Sequence, residues 1–425
     1  MEVLQHFGQC GNASNLNYMD VEVNLADKPQ QPLSYRKAYR DVKASYLKRI
    51  RWAVTLFYFA MGLNFSTWAS RISDVQLSLG LTKGDLGTAL FAIPVGQLFI
   101  MPYSGKLAAK YGSHRTVVFG LSFYVLSLII LGLATERWHL MLTLAFFGIF
   151  SNLTNISVNT QGIYTEGLFR RAIMSSFHGA WSTAGFTGAL IGIGMIGLGL
   201  SPFYHFLIVG FVLWIIIFFN YKYLIKVKAK PAAEKKRKLF SKPDKVLVWL
   251  GVMAFCCMLS EGIMFDWSVI YFEDVVGVSG SLKVLGYTAF MVMMAFGRFT
   301  GDRVIRRIGR KRMLQISGCM ISVGLYLAVA LPYIVTTALA FMMVGLGVST
   351  IVPTVFSIAG RRPNIAPSIA LQTVSSVSFL GFMLGPPVIG HIAEATSLRF
   401  SFALIGIFGF GIAFLVTKIK AIGEA

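Results

Sequence analysis

GKLAAKYGSHR at 105–115 and GDRVIRRIGRKR at 301–312 are two versions of one device. In each, a glycine (Gly112 or Gly309) follows a basic residue and then Tyr111 or Ile308, and further cations come after it. The two glycines stand about 197 residues apart, and each device closes the second of a series of long apolar runs. Working outward, about twelve such runs lie near 51–70, 86–108, 115–135, 138–163, 173–196, 203–224, 246–272, 284–303, 313–332, 335–359, 366–393 and 400–417. Crossing a bilayer takes roughly 20 apolar residues at 1.5 Å each, so every run is long enough. A repeat of this length with an even number of spans predicts an all-α membrane protein. Its twelve transmembrane helices would form two pseudo-symmetric six-helix bundles, related by an axis along the membrane normal.

The charge pattern agrees with that reading. The chain is 55% hydrophobic and 13% charged, with a mean hydropathy of +0.66, yet its net charge is +21. About 33 of the 39 lysines and arginines fall in the two tails and in every second loop, against about five on the other side. Those five are Arg71, Lys83, Arg137, Lys283 and Arg399. The positive-inside bias therefore predicts a multi-pass protein of the cytoplasmic (inner) membrane with both termini in the cytoplasm. It also excludes nucleic acid as the partner of all that charge, since no aromatic–basic module accompanies it. The partner of the long apolar surface is the lipid bilayer.

Cysteine and signal patterns add little. Cys256, Cys257 and Cys319 sit inside apolar runs and Cys10 is alone in the tail, which gives neither disulfide pairs nor metal-ligand spacing. No cleavable signal is expected, because no basic region followed by an apolar core opens the chain. The predicted organisation is a cytoplasmic extension at 1–47 and a first bundle at 48–224. A basic, proline-containing linker at 225–245, a second bundle at 246–420 and a tail at 421–425 follow. Within the extension, Tyr35, Tyr39, Val42, Tyr46 and Leu47 at helical spacing suit a surface helix on anionic lipid. A plain extension, or a true start at Met19, reads equally well.

At the repeated loops the chain resembles the major facilitator superfamily, whose loops between the second and third helices carry a Gly-X-Leu-X-Asp-Arg/Lys-X-Gly-Arg/Lys motif. Gly105, Leu107, Lys110, Gly112 and Arg115 match it, while Ala109 stands where the family has aspartate. The second copy offers Arg298, Asp302, Arg303, Gly309 and Arg310. The resemblance implies that these residues gate the charge-rich side, closing the two bundles together there; the alternative is that they determine topology only. Trp68 to Arg71, Met174 to Trp181, and Glu261 with Asp266 are similar to the fucose/sugar–proton symporter-like branch and its bacterial inner-membrane relatives. That likeness implies a sugar-like solute imported with protons.

Ionisable and amide side chains inside spans are costly, so they face a cavity or a partner. Asn152, Asn155 and Asn159 follow a helical face, with Glu166 a further heptad on. They either line a cavity for a hydroxyl-rich solute or act as interhelical hydrogen-bond glue. Asn64, Trp181 and Gln372 complete the candidate solute contacts. Trp68 reads as an interfacial anchor and Arg71 as a snorkelling cation. Glu261, at mid-span, is the first candidate for proton coupling, against a structural pairing with Arg298 or a span-11 amide. Asp266, about 140° away around the helix, and His178, as a relay, are the other proton-coupling candidates, against an outer-end helix contact and a hydrogen-bonded packing residue respectively.

The function predicted from these features is secondary active transport of a small polar solute by alternating access. The chain would work as a monomer, with no cofactor or metal and the proton gradient as energy source. Export of amphipathic drugs or metabolites, and a non-transporting solute sensor, are the alternatives. An enzyme is not expected, since no nucleophile–base or metal constellation is present, and without a phosphate-binding loop ATP-driven pumping by this chain alone is not expected either.

Overall fold

The computed structural model describes residues 33–169, 173–226, 244–360 and 367–419, except the side chains of 33–43, Ser175, Asp302, 367–369 and Gln372. Twelve long helices fill these segments. In the first half they are α1 Leu33–Ala69, α2 Lys83–Tyr111, α3 Ser113–Leu131, α4 Arg137–Phe169, α5 Met174–Gly197 and α6 Pro202–Asn220. In the second half they are α7 Lys245–Asp274, α8 Leu285–Ile308, α9 Arg310–Ala330, α10 Ile334–Ala359, α11 Pro367–Ala395 and α12 Leu398–Lys418. Eleven helices or helix segments among the described residues are apolar and long enough to span a membrane. The remaining helix, α1, is long enough but carries Asn64, Ser66 and Thr67 in its final turns.

Local chemistry sets the boundaries. Gly112 and Gly309 have φ of 87° and 81°, a region that costs any residue with a side chain, so both repeated loops turn the chain in the same way. Asp244 caps α7 by accepting from the Val246 N–H at 2.7 Å. Pro94 cannot donate to Leu90 C=O, and α2 is interrupted there at Phe91. α1 begins well before the expected first span: no glycine or proline occurs between Leu33 and Gly62, so the helix runs unbroken from the basic stretch into the apolar one. The remainder of the extension, most of the linker (227–243) and residues 420–425 lie outside the described residues.

Packing repeats between the halves. In the first, α1 packs on α5 and α6, α2 on α4, and α3 on α4 and α6. In the second, α7 packs on α11 and α12, α8 on α10, and α9 on α10 and α12. Each pairing maps onto its counterpart by adding six to the helix number. The interface between bundles obeys the same rule, α5 on α8 and α11 on the start of α2. Each bundle has an aromatic core. Trp68 is fully buried between Phe147 and Phe206 and is no interfacial anchor, because α4 and α6 close over its face of α1. Tyr271, Phe341 and Phe402 form the corresponding cluster in the second bundle.

The bundles are bolted at the charge-poor end. Lys283 is 4% exposed and reaches Asp74 at 2.6 Å and Glu273 at 3.2 Å. Ser73 bonds Glu273, and Lys83 pairs with Asp274 at 2.8 Å. Glu394 accepts from the Gly84 N–H at 2.8 Å. Gly87 and Gly390 let α2 and α11 touch through their backbones, and a Cβ at Gly87 would lie 2.6 Å from the Pro386 carbonyl oxygen. Beyond Phe91, α2 has little contact with α11. The space between the bundles therefore widens toward the charge-rich end.

Candidate functional site

The repeat brings α1, α5, α7 and α8 together halfway along their lengths. Glu261, buried on α7, lies 3.3 Å from the Arg298 guanidinium on α8. A second nitrogen of Arg298 donates to the Ser182 hydroxyl at 2.8 Å across the bundle interface. The guanidinium carbon also stands 5.6 Å from the Trp181 ring centre, over its face. Trp181 in turn contacts Phe65 and Phe265, whose rings meet edge-on at 5.2 Å. One carboxylate and one guanidinium thus form a compact pair, held by an aromatic wall and tied to the opposite bundle.

Arg298 is the main relocation from the sequence reading. Its place beside Gly297 suggested the charge-rich loop, but about three helical turns separate it from Gly309, which puts it inside the span. The pairing with Glu261 is the structural alternative weighed for that carboxylate. Asp266 is also buried on α7, faces elsewhere, and lies within electrostatic reach of Tyr287. It does not join the pair.

A second group lies toward the charge-rich side. Tyr58 on α1 donates to Asn159 Oδ1 at 2.8 Å. Asn159 Nδ2 donates to Asn155 Oδ1 at 2.7 Å and to the Asn155 carbonyl at 2.8 Å. His178 is exposed, and its ring meets that of Tyr58 edge-on at 5.4 Å. His178 and Ser182 are one turn apart on α5, and Ser182 Oγ donates to the His178 carbonyl at 3.2 Å. The two groups are therefore neighbours.

Other expected contacts are placed elsewhere. Asn64 is completely buried and donates to the Tyr124 carbonyl at 3.2 Å, so it ties α1 to α3 inside the first bundle. Asn152 accepts from Ser104 on α2 at 2.8 Å. Glu166 caps α5, accepting from the Ile173 and Met174 N–H groups at 2.8 and 2.9 Å. The side chains of Gln372 and Asp302 lie outside the described residues. Of the gating set, Gly105, Lys110, Arg115 and Arg303 are exposed at the charge-rich end, and the Lys110 ammonium sits 5.2 Å from the Tyr111 ring centre.

Sequence reading missed Tyr58, Ser182 and the bolt. Arg71 does not snorkel: it is 3% exposed and bonds Asp74 at 2.5 Å, His205 Nδ1 at 3.2 Å and the Leu200 carbonyl. The signal was present in Asp74, three residues on, where an ion pair along one face is favoured. Nothing local marked Tyr58 or the Lys283 contact across the bundles, since Asn159 and Asp74 are more than a hundred residues from them.

Comparison with known proteins agrees with this architecture. A model of the Major Facilitator Superfamily matches residues 54–370. An uncharacterised MFS-type transporter of Yersinia pestis is 28% identical over 352 residues, covering 83% of this chain and 91% of that protein. The membrane protein MosC of Rhizobium meliloti is 28% identical over 348 residues, 81% of this chain and 84% of its own. Among solved structures, the nucleoside transporter NupG superposes with a TM-score of 0.66 at 12% identity, covering 87% of this chain and 99% of that one. A D-xylose–proton symporter gives 0.68 at 12% identity, over 88% and 98%. At such identities the structural likeness speaks for the fold alone.

Proposed function

We propose, from the premise that this chain belongs to the major facilitator superfamily, that it imports a sugar-like polar solute together with protons. Its site lies between the two bundles of a multi-pass membrane protein, and the charge-rich end faces the cytoplasm of the cell whose inner membrane holds it. The observation that carries this reading is the Glu261–Arg298 pair at mid-span, its carboxylate buried and its guanidinium tied across the interface to Ser182. A proton on Glu261 would cancel its attraction for Arg298 and free the guanidinium, changing the grip between bundles. Proton uptake and bundle movement would thus share one residue pair. Hydroxyls of the solute suit Asn155 and the Trp181 face, while the charge balance suits a proton as coupling ion. The chain would act as a monomer, since both halves of the site belong to it.

Proteoliposomes carrying a pH-sensitive dye test this. Sugars, polyols, organic acids and cationic drugs are added in turn to the wild type and to Glu261→Gln. Solute-triggered proton movement with a sugar, lost in the variant while exchange of preloaded solute persists, is the expected result. Uptake without proton movement in either protein would refute coupling. A signal with cationic drugs alone would favour export.

A further inference from the structure

The orientation of one amide is fixed by the backbone, and that settles what the site shows to a solute. A carbonyl oxygen only accepts, so the end of the Asn159 amide lying 2.8 Å from the Asn155 carbonyl must be its NH₂. The other end is then Oδ1, and Tyr58, whose hydroxyl lies 2.8 Å away, donates to it. Asn159 Nδ2 also lies 2.7 Å from the Asn155 side chain, so the atom it meets must be the acceptor Oδ1. Amide ends are otherwise assigned only from such networks, and here the fixed carbonyl anchors the whole chain of bonds. The NH₂ of Asn155 is consequently the end turned away from Asn159.

Asn155 is exposed. Phe146, nine residues earlier and 46% exposed, lies on the opposite side of α4, about 180° round at about 100° per residue. Asn155 is on the side that meets Tyr58 of α1. It opens on the space between the bundles with its NH₂ end outward, two N–H donors, while its oxygen is turned toward Asn159. Arg298, reached from Tyr58 through His178 and Ser182, is donor-only as well.

We propose that Asn155 is a specificity-determining residue held donor-outward by Asn159 and Tyr58, so that the site takes solutes bearing carboxylate or carbonyl oxygen in preference to those bearing an ammonium group. This rests on the reading of the interbundle space as the solute site and narrows its class to acceptor-bearing sugar derivatives. Asn159 and Tyr58 are positioning residues. They set the polarity of Asn155 without meeting the solute.

Two glucopyranose derivatives make the test: glucuronate, with a carboxylate in place of the C6 hydroxymethyl, and glucosamine, with an ammonium in place of the C2 hydroxyl. Their half-saturating concentrations are read from the thermal stabilisation of detergent-purified protein, a readout independent of transport and of proton coupling. Wild type should bind glucuronate at least about tenfold more tightly, the order expected for one charge-assisted hydrogen bond. Asn159→Asp puts carboxylate oxygens where the NH₂ was, so Asn155 turns to donate to it and shows its own oxygen outward. The preference should then reverse toward glucosamine. Asn159→Leu, which leaves Asn155 free to turn, should bring the ratio near one, a result that the added negative charge of the aspartate cannot produce. Should Asn159→Asp not fold, Asn155→Asp presents an acceptor directly and must reverse the order too. Wild type that binds neither probe, or prefers glucosamine, overturns the proposal, as does an Asn159→Leu ratio equal to wild type. Absence of solute-triggered proton movement would instead overturn the coupling and leave this result standing.

Discussion

A buried ion pair stabilises little by itself, but losing one partner strands the other. Glu261 has Arg298 as its charge partner, so Arg298→Met should cost about 3 kcal/mol, seen as a lower unfolding midpoint in detergent. Adding Glu261→Leu to it should restore most of that loss. A double variant no more stable than the single one would show that the pair matters in some other way. The asparagines divide in a second test. Asn64→Ala removes interhelical glue worth about 0.6 kcal/mol and should leave the half-saturating solute concentration unchanged. Asn155→Ala should raise that concentration about tenfold at unchanged stability, which uptake assays would detect. These two asparagines were indistinguishable in sequence, where each is an amide in an apolar run. A helix face can be read from spacing, whereas the neighbour opposite it depends on how six helices close, and that placed Asn64 against Tyr124 and Asn155 against open space.

At the scale of elements, the bolt at the charge-poor end is built to part. Separating the bundles leaves Arg71 with Asp74 on one side and Lys283 with Glu273 on the other. Each pair is neutral, so opening strands no buried charge. Lys283→Met should loosen the closed end, and Lys283→Arg should leave it closed. With Ser73, which is 1% exposed, changed to Cys, the membrane-impermeant maleimide labelling rate should rise about tenfold in the first variant only. An unchanged rate would mean that the α2–α11 contact alone keeps this end shut. That contact has its own test. Gly87→Leu places a side chain against the Pro386 carbonyl and should give the same increase in labelling with Lys283 intact. The elements themselves were legible because apolar length and the repeated glycine–cation loops are local signals. α1 joins the basic stretch to the apolar one because no breaker separates them, and spacing alone does not tell one helix from two in line.

For the whole molecule, the internal repeat determines what packs. The interface repeats by the same twofold relation, α5 on α8 and α11 on the start of α2. The repeated glycine–cation loops and the even number of spans were enough to anticipate two bundles. The state of the molecule was not legible, because which end is closed depends on contacts such as Lys283–Asp74 between residues about 209 positions apart. The proposed transport cycle requires the bundles to rock as units, one end opening as the other closes. Paired spin-label distances test it most directly, with labels at 80 and 396 for the charge-poor end and at 111 and 307 for the charge-rich end, in a background lacking Cys10 and Cys319. On introducing Lys283→Met, the first distance should lengthen and the second shorten, in matching populations. A change confined to one end, or both distances moving in the same direction, would contradict rocking and the transport cycle built on it.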